Sequence, residues 1–272
     1  MPKPAAAIPR ARLRPGIGPL AGATLVVTRP SGSADALKRR IRALGGAALG
    51  LPGLRLQPAT DPALARRALD AARSSDIAVF VSPAAVRFAF ALRPRLRFAR
   101  GTVVCAIGAA TARALARHGI RDALHPARQD SEGLLALPQL QSLRGKRVAL
   151  IGAPGGRELL AQTLRERRAR VTPVHVYARA APRYRRAQLA ALEHAPTPLV
   201  TLLSSAEVLD NLRASLPLDL FARLAAGELV ASSERLAGAA RASLFGNVHV
   251  AASALPADLV AGALAALARH RL

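Results

Sequence analysis

Val81-Ser82-Pro83-Ala84-Ala85-Val86 and, much later, Leu203-Ser204-Ser205-Ala206-Glu207-Val208 spell the same transition twice: an apolar run ends, hydroxyl residues follow, and a helical pattern begins. Their separation is 204 − 82 = 122 residues. Leu49-Gly50-Leu51-Pro52 overlays Arg170-Val171-Thr172-Pro173 at 121, and Leu37 overlays Leu160 at 123, so nearly one register runs through loop, strand and helix. Unrelated segments resemble one another locally without holding a common register, and an internal duplication follows.

Working outward, short β-rich runs at 24–28, 77–81, 103–107, 148–151, 171–177, 199–203 and 229–231 alternate with amphipathic helical segments at 34–44, 62–72, 84–92, 109–118, 156–168, 206–215 and 235–244. Alternation of this kind predicts parallel sheets flanked by helices on both faces. The expected architecture is α/β, two similar domains with a cleft between them. Right-handed crossovers place each strand-to-helix loop at the carboxyl edge of its sheet, where ligands of such folds bind.

The 272 residues carry 40 Lys+Arg against 16 Asp+Glu, a net charge of +24 that invites an acidic partner. Lysine occurs only as Lys3, Lys38 and Lys146. So arginine-rich a chain reflects codon preference as readily as a selected polyanion site. Aromatic residues make up 3% and tryptophan is absent, which argues against base stacking on nucleic acid. A single cysteine, Cys105, and scattered histidines exclude an intramolecular disulfide and offer no metal-ligand spacing. No apolar run approaches the roughly 20 residues of a membrane span. The proline-rich basic stretch 1–20 reads as a flexible tail without the apolar stretch of a signal peptide, and the expected location is cytoplasmic.

The chemistry concentrates in loops. Gly152-Ala153-Pro154-Gly155-Gly156-Arg157 is a glycine-rich turn opening a helix, able to present amides to an anion but lacking the spacing of either nucleotide fingerprint. Ser82, Ser204 and Ser205 follow strands in equivalent loops, and Thr111, Ser232 and Ser233 in a second pair. Each can cap a helix, bind an anion, or do both. There is no G-x-S-x-G and no suggestive carboxylate pair. Hydroxyls, arginines and amides remain, a set suited to holding a polyanion and stabilising developing charge. Tyr177, one of two tyrosines, ends a strand as either rim packing or a proton donor.

Taken in order, Val27-Thr28-Arg29-Pro30, Val81 to Val86, Ala106-Ile107-Gly108-Ala109-Ala110-Thr111-Ala112, Asp130-Ser131-Glu132-Gly133-Leu134-Leu135, Gly155-Gly156-Arg157-Glu158, Val176-Tyr177-Ala178-Arg179, Leu203-Ser204-Ser205 and Val230-Ala231-Ser232-Ser233-Glu234-Arg235 resemble the uroporphyrinogen-III synthase family across about residues 22 to 268. The resemblance implies two Rossmann-like domains joined by a two-stranded linker, 21–52 plus 180–272 and 53–179. It implies a monomeric hydro-lyase without cofactor or metal, partnered by neither nucleic acid nor membrane, that converts hydroxymethylbilane to uroporphyrinogen III with inversion of ring D. By the same resemblance Tyr177 assists departure of the substrate hydroxyl, while Arg29, Ser82, Thr111, Gly152, Arg157, Ser204, Ser205, Ser232 and Ser233 receive carboxylates. Val81 and Leu203 depart from it, standing where threonine is common. A non-catalytic two-lobed protein binding a polyanionic small molecule or nucleic acid is the alternative.

Overall fold

The computed structural model describes residues 17–30, 32–155 and 158–269. Most of the tail assigned to 1–20, together with Gly156 and Arg157, lies outside them. In chain order the elements are β1 (Thr24–Val27), α1 (Asp35–Ala43), β2 (Ala47–Gly50), β3 (Arg55–Pro58), α2 (Pro62–Ala72), β4 (Ile77–Phe80), α3 (Pro83–Leu92), β5 (Val103–Ala106), α4 (Ala109–Arg117), α5 (Ser131–Leu135), β6 (Arg147–Gly152) and α6 (Glu158–Glu166). There follow β7 (Arg170–His175), β8 (Tyr177–Ala180), α7 (Arg186–Glu193), β9 (Leu199–Leu203), α8 (Ala206–Ser215), α9 (Leu218–Ala225), β10 (Glu228–Ala231), α10 (Glu234–Ala242), β11 (Asn247–Val250) and α11 (Pro256–Ala268).

The chain forms two compact units. Unit 1 takes the chain up to Arg55 and again from Ala181, and unit 2 is Leu56–Ala180. The sheet of unit 1 runs β11-β10-β9-β1-β2 and that of unit 2 runs β5-β4-β6-β7, with every neighbouring pair parallel. A two-stranded ladder of β3 and β8 stands where the chain crosses from one unit to the other.

Each sheet is covered on both faces, so its inner strands are buried at nearly every position and mostly apolar. In β9, Leu199 and Leu203 join a core with α7, α8, α9 and α10, while Val200 and Leu202 join a second core with α1 and α11. In β4, Ala78 and Phe80 meet α2, α3 and α4, whereas Ile77 and Val79 meet α5 and α6. A leucine from such a core cut back to alanine costs about 2–5 kcal/mol.

The duplication is visible in hydrogen bonds. Thr24 pairs with Ala47 and Arg147 with Arg170, the same spacing around α1 and α6. Leu37 and Ile41 are fully buried on α1, as are Leu160 and Leu164 on α6, at 160 − 37 = 123. Both helices end on a left-handed residue, Gly45 (φ 85) and Arg168 (φ 63), whose amides donate to Arg42 and Arg165 carbonyls at 3.0 and 2.8 Å. The offset of 123 holds through β2 and β7, so Gly50 answers to Pro173. The overlay of Pro52 on Pro173 is corrected by two residues, because strand register rather than proline identity fixes the alignment. A second pair agrees: α4 closes on Gly119 (φ 87) and α10 on Leu244 (φ 72).

The strand expected over 171–177 is two strands. β7 ends at His175, the Val176 amide turns to the Gly152 carbonyl at 3.0 Å, and Tyr177 opens β8 in the other ladder. Among the described residues no helix is long and apolar enough to cross a membrane, and no group of three or more His, Cys, Asp or Glu is placed to hold a metal ion.

Candidate functional site

In unit 2 the carboxyl edge of the sheet brings Ser82 to Tyr177. Ser82 is the extended N-cap of α3, its Oγ accepting the Ala85 amide at 3.0 Å. The same oxygen lies 3.3 Å from the Tyr177 hydroxyl. Having accepted from Ala85, Ser82 retains a proton to donate and a lone pair to offer, so it can orient the phenol in either sense. Tyr177 is 8% exposed, and its ring stacks on Phe88 with centroids 5.3 Å apart and planes 16° from parallel. The Arg87 guanidinium carbon sits 4.7 Å over the Phe88 ring. Stack and hydroxyl together fix the phenol at the start of α3, where the helix dipole favours negative charge.

Beside it, Gly152 ends β6. A Cβ there would come within 2.5 Å of Val81 Cγ2, so glycine permits the close approach of the two strand ends. The turn continues to Gly155 (φ 65), and Arg179 ties it down by donating from Nη2 to the Pro154 carbonyl at 2.9 Å. A hollow of 490 Å³ runs along this turn and α6, with Arg165 and His175 set among Glu158 and Glu166. Arg157 lies outside the described residues. Thr111 is 1% exposed and sits inside α4, whose N-cap is Gly108.

Unit 1 assembles a different set at its own carboxyl edge. Thr28 Oγ1 donates to the Leu202 carbonyl at 2.7 Å, fastening β1 to β9. Continuing the register of Val27 on Leu202 sets Arg29 beside Ser204, and the Ser232 amide, bonded to the Leu203 carbonyl at 3.0 Å, brings Ser232 to the other flank. Arg29, Ser204 and Ser232 therefore occupy adjacent strand ends, about 4.8 Å from strand to strand. Arg29 Nη2 donates to the Ala254 carbonyl, while its buried Nε has no partner and burial pulls its pKa below the ordinary arginine value. A half-buried guanidinium so placed is receptive to an anion. Ser205 caps α8 without a side-chain bond to its amides, whereas Ser233 accepts the Leu236 amide at 3.4 Å.

The structure thus gathers Ser82, Tyr177 and Gly152 in one unit and Arg29, Ser204, Ser205, Ser232 and Ser233 in the other, and buries Thr111. Reading the sequence overlooked Phe88 and Arg179. Phe88 lies on α3, the helix that Ser82 caps. A larger hollow of 610 Å³ lies at the opposite edge of the unit 1 sheet, and Glu193, Asp219 and Glu228 on its wall make it a poor receptor for carboxylates.

Comparisons with known proteins converge. A family model described as "Uroporphyrinogen-III synthase HemD" matches residues 35–261. The uroporphyrinogen-III synthase of Salmonella typhimurium is 35% identical over 236 residues, 85% of this chain and 96% of that protein. The Escherichia coli enzyme is 35% identical over 198 residues, 71% and 80% respectively. Crystal structures of a mutant uroporphyrinogen III synthase from Thermus thermophilus (20% identity, 91% of this chain and 99% of that one, TM-score 0.56) and of the Helicobacter pylori synthetase (14%, 89% and 99%, TM-score 0.55) share the fold.

Proposed function

Since the chain belongs to the uroporphyrinogen-III synthase family, a family of cyclising lyases in tetrapyrrole biosynthesis, we propose that its residues work on hydroxymethylbilane by holding the polycarboxylate and delivering one proton. The observation that carries this reading is the Tyr177 phenol, set by Ser82 and Phe88 at a helix N-terminus on the carboxyl edge of unit 2.

Tyr177 donates its proton to the ring A hydroxyl, the carbon–oxygen bond breaks, water leaves, and an azafulvenium cation remains beside a phenolate. The Ser82 hydroxyl and the dipole of α3 stabilise that phenolate. Ring D then attacks the cation through its substituted carbon, giving the spirocyclic intermediate. Cleavage and reclosure invert the ring, and the proton lost as the pyrrole regains aromaticity returns to Tyr177. One water is released and the tyrosine is restored.

Most of this chemistry is intrinsic to the pyrroles, so the protein's principal task is orientation, because closure without inversion competes. Arg29, Ser204, Ser205, Ser232 and Ser233 in unit 1, and Ser82 with the Gly152–Gly155 amides in unit 2, offer donors for substrate carboxylates. Gly152 also serves by admitting Val81. The reading keeps 21–52 with 180–272, and 53–179, as the two domains, supported, apart from Leu54, which packs in a unit 1 core, by the separate pair of cores on each sheet. It places the reaction in the cytoplasm on a monomer, in keeping with the free, buried Cys105 thiol.

The deciding assay supplies freshly made hydroxymethylbilane, oxidises the product and separates the isomers. Type III product is expected. Type I alone, at enzyme concentrations sufficient for turnover, would refute the reading.

A further inference from the structure

The loops leading into the strands lie at the amino edge of each sheet, opposite the hydroxyl-bearing loops, and the two repeats differ there in charge. In unit 1 the segments 17–23, 44–46, 194–198, 226–227 and 243–246 hold no lysine or arginine. In unit 2 the corresponding segments carry exposed Arg95, Arg100, Arg144, Lys146 and Arg168, and exposed Arg170 begins β7. A preference for arginine acting on the whole chain would load both edges alike. The duplicate edge is therefore an internal control for the loops, of which only those of unit 2 are basic, while unit 1 keeps its cations near that edge on the last helical turns, at Arg42, Arg223 and Arg241.

Arg168 adds an independent observation. It holds φ 63 where the other repeat has Gly45 at φ 85, a left-handed conformation that strains any side chain with a Cβ. The chain keeps a strained arginine where glycine would sit at ease. The backbone around it is cross-tied: the Gly145 amide donates to the Arg168 carbonyl at 3.1 Å, and the Arg170 amide to the Lys146 carbonyl at 2.8 Å. Lys146, Arg168 and Arg170 are thereby held on adjoining turns.

We propose that the amino edge of unit 2 is a docking surface for the phosphodiester backbone of double-stranded nucleic acid, engaged without regard to sequence. Four strands at about 4.8 Å spacing span roughly 14 Å, the length over which one strand of a duplex presents about four phosphates. Guanidinium forks match phosphate oxygens. The 3% aromatic content that argues against stacking on bases also fits binding to the backbone alone.

The test uses the full chain and a labelled random-sequence duplex, titrated between about 50 and 200 mM salt. The triple variant Arg144→Ser/Lys146→Ser/Arg168→Gly should weaken binding about tenfold or more at low salt and flatten the salt slope by about 3. A matched triple variant on the exposed face of α1, Arg39→Ser/Arg40→Ser/Arg42→Ser, removes the same charge and should change affinity less than about threefold. Both variants should retain parental circular dichroism and isomer synthesis. Equal losses from the two would reduce the effect to net charge and overturn the proposal, as would undetectable binding by the parent at the lowest salt. Displacement of the duplex by polyglutamate as effectively as by unlabelled duplex would assign the surface to an acidic protein, which also overturns it.

Discussion

Replacing Tyr177 by Phe removes one oxygen from a well-defined setting, and the consequences for folding and for rate separate cleanly. The lost contact is a 3.3 Å hydrogen bond to Ser82, longer than the usual 2.7–2.8 Å between hydroxyls and worth about 0.5 kcal/mol net. Ser82 keeps the Ala85 amide at 3.0 Å, and the ring keeps its stack on Phe88, so stability should move by less than about 1 kcal/mol. If the phenol delivers the proton that releases water, its loss should slow turnover by about 100-fold or more, the usual range for a positioned general acid. Carboxylate contacts are untouched, so KM should hold nearly constant, the pattern expected when an interaction made only in the transition state is removed. The assay follows type III and type I isomers against time at fixed enzyme, where spontaneous closure turns a slower enzyme into a rising share of type I. A Tyr177→Phe protein as fast as the parent, with the same isomer ratio, would refute the role assigned to this residue.

Other expectations follow from the same geometry. Gly152→Ala drives a methyl to 2.5 Å from Val81 and should cost about 1–3 kcal/mol in thermal or urea unfolding, with Val81→Ala restoring much of the loss. Arg29→Met removes a half-buried, incompletely partnered guanidinium and should raise KM about tenfold while leaving stability equal or higher. Arg168→Gly relieves a left-handed arginine and should add about 1 kcal/mol, seen as a higher urea midpoint. The Asp76 carboxyl is held below its ordinary range by the Arg147 amide at 2.7 Å, and that of Asp70 by Arg93. Their contribution to stability is present above the ordinary carboxylate value and lost as pH falls through the lowered one. Asp76→Asn should therefore flatten the acid limb of a urea-midpoint profile below about pH 4.

Much of the fold was legible because the buried inner strands advertise themselves. Ile77–Phe80 is apolar at every position and Leu199–Leu203 at all but Thr201, and 62–72 and 206–215 match their helices end to end. The elements overlooked have weaker signals for physical reasons. β2 and β11 are short edge strands with half-exposed residues, and β8, Tyr-Ala-Arg-Ala, is polar and pairs outside the two main sheets. α5 has five residues with Gly133 among them, and α7 buries Leu192 alone. α9, with Leu220, Phe221 and Leu224 at helical spacing behind Pro217, was plainly readable and passed over. In the candidate site, serines after strands could be placed on a sheet edge from the pattern, since topology dictates where such loops go. That Thr111 would be buried could not, because Gly108 rather than a hydroxyl caps α4, leaving Thr111 three residues into the helix on its buried face with Leu115.

The four left-handed helix ends have a practical consequence. Gly45 and Arg168 hold the same backbone turn in one pair of repeats, and Gly119 and Leu244 hold it in the other. A chain that contains its own duplicate is a two-sequence alignment in which the backbone is the constant. Where a copy has glycine the turn alone accounts for the residue, and where its counterpart carries a costlier side chain the turn does not. Arg168 lies in a basic neighbourhood, while Leu244 is 81% exposed on unit 1. Exchanging residues between equivalent positions, glycine into each drifted copy and arginine or leucine into each glycine, would measure the bias of each site on one scale and sort inherited scaffold from acquired surface without recourse to any other protein.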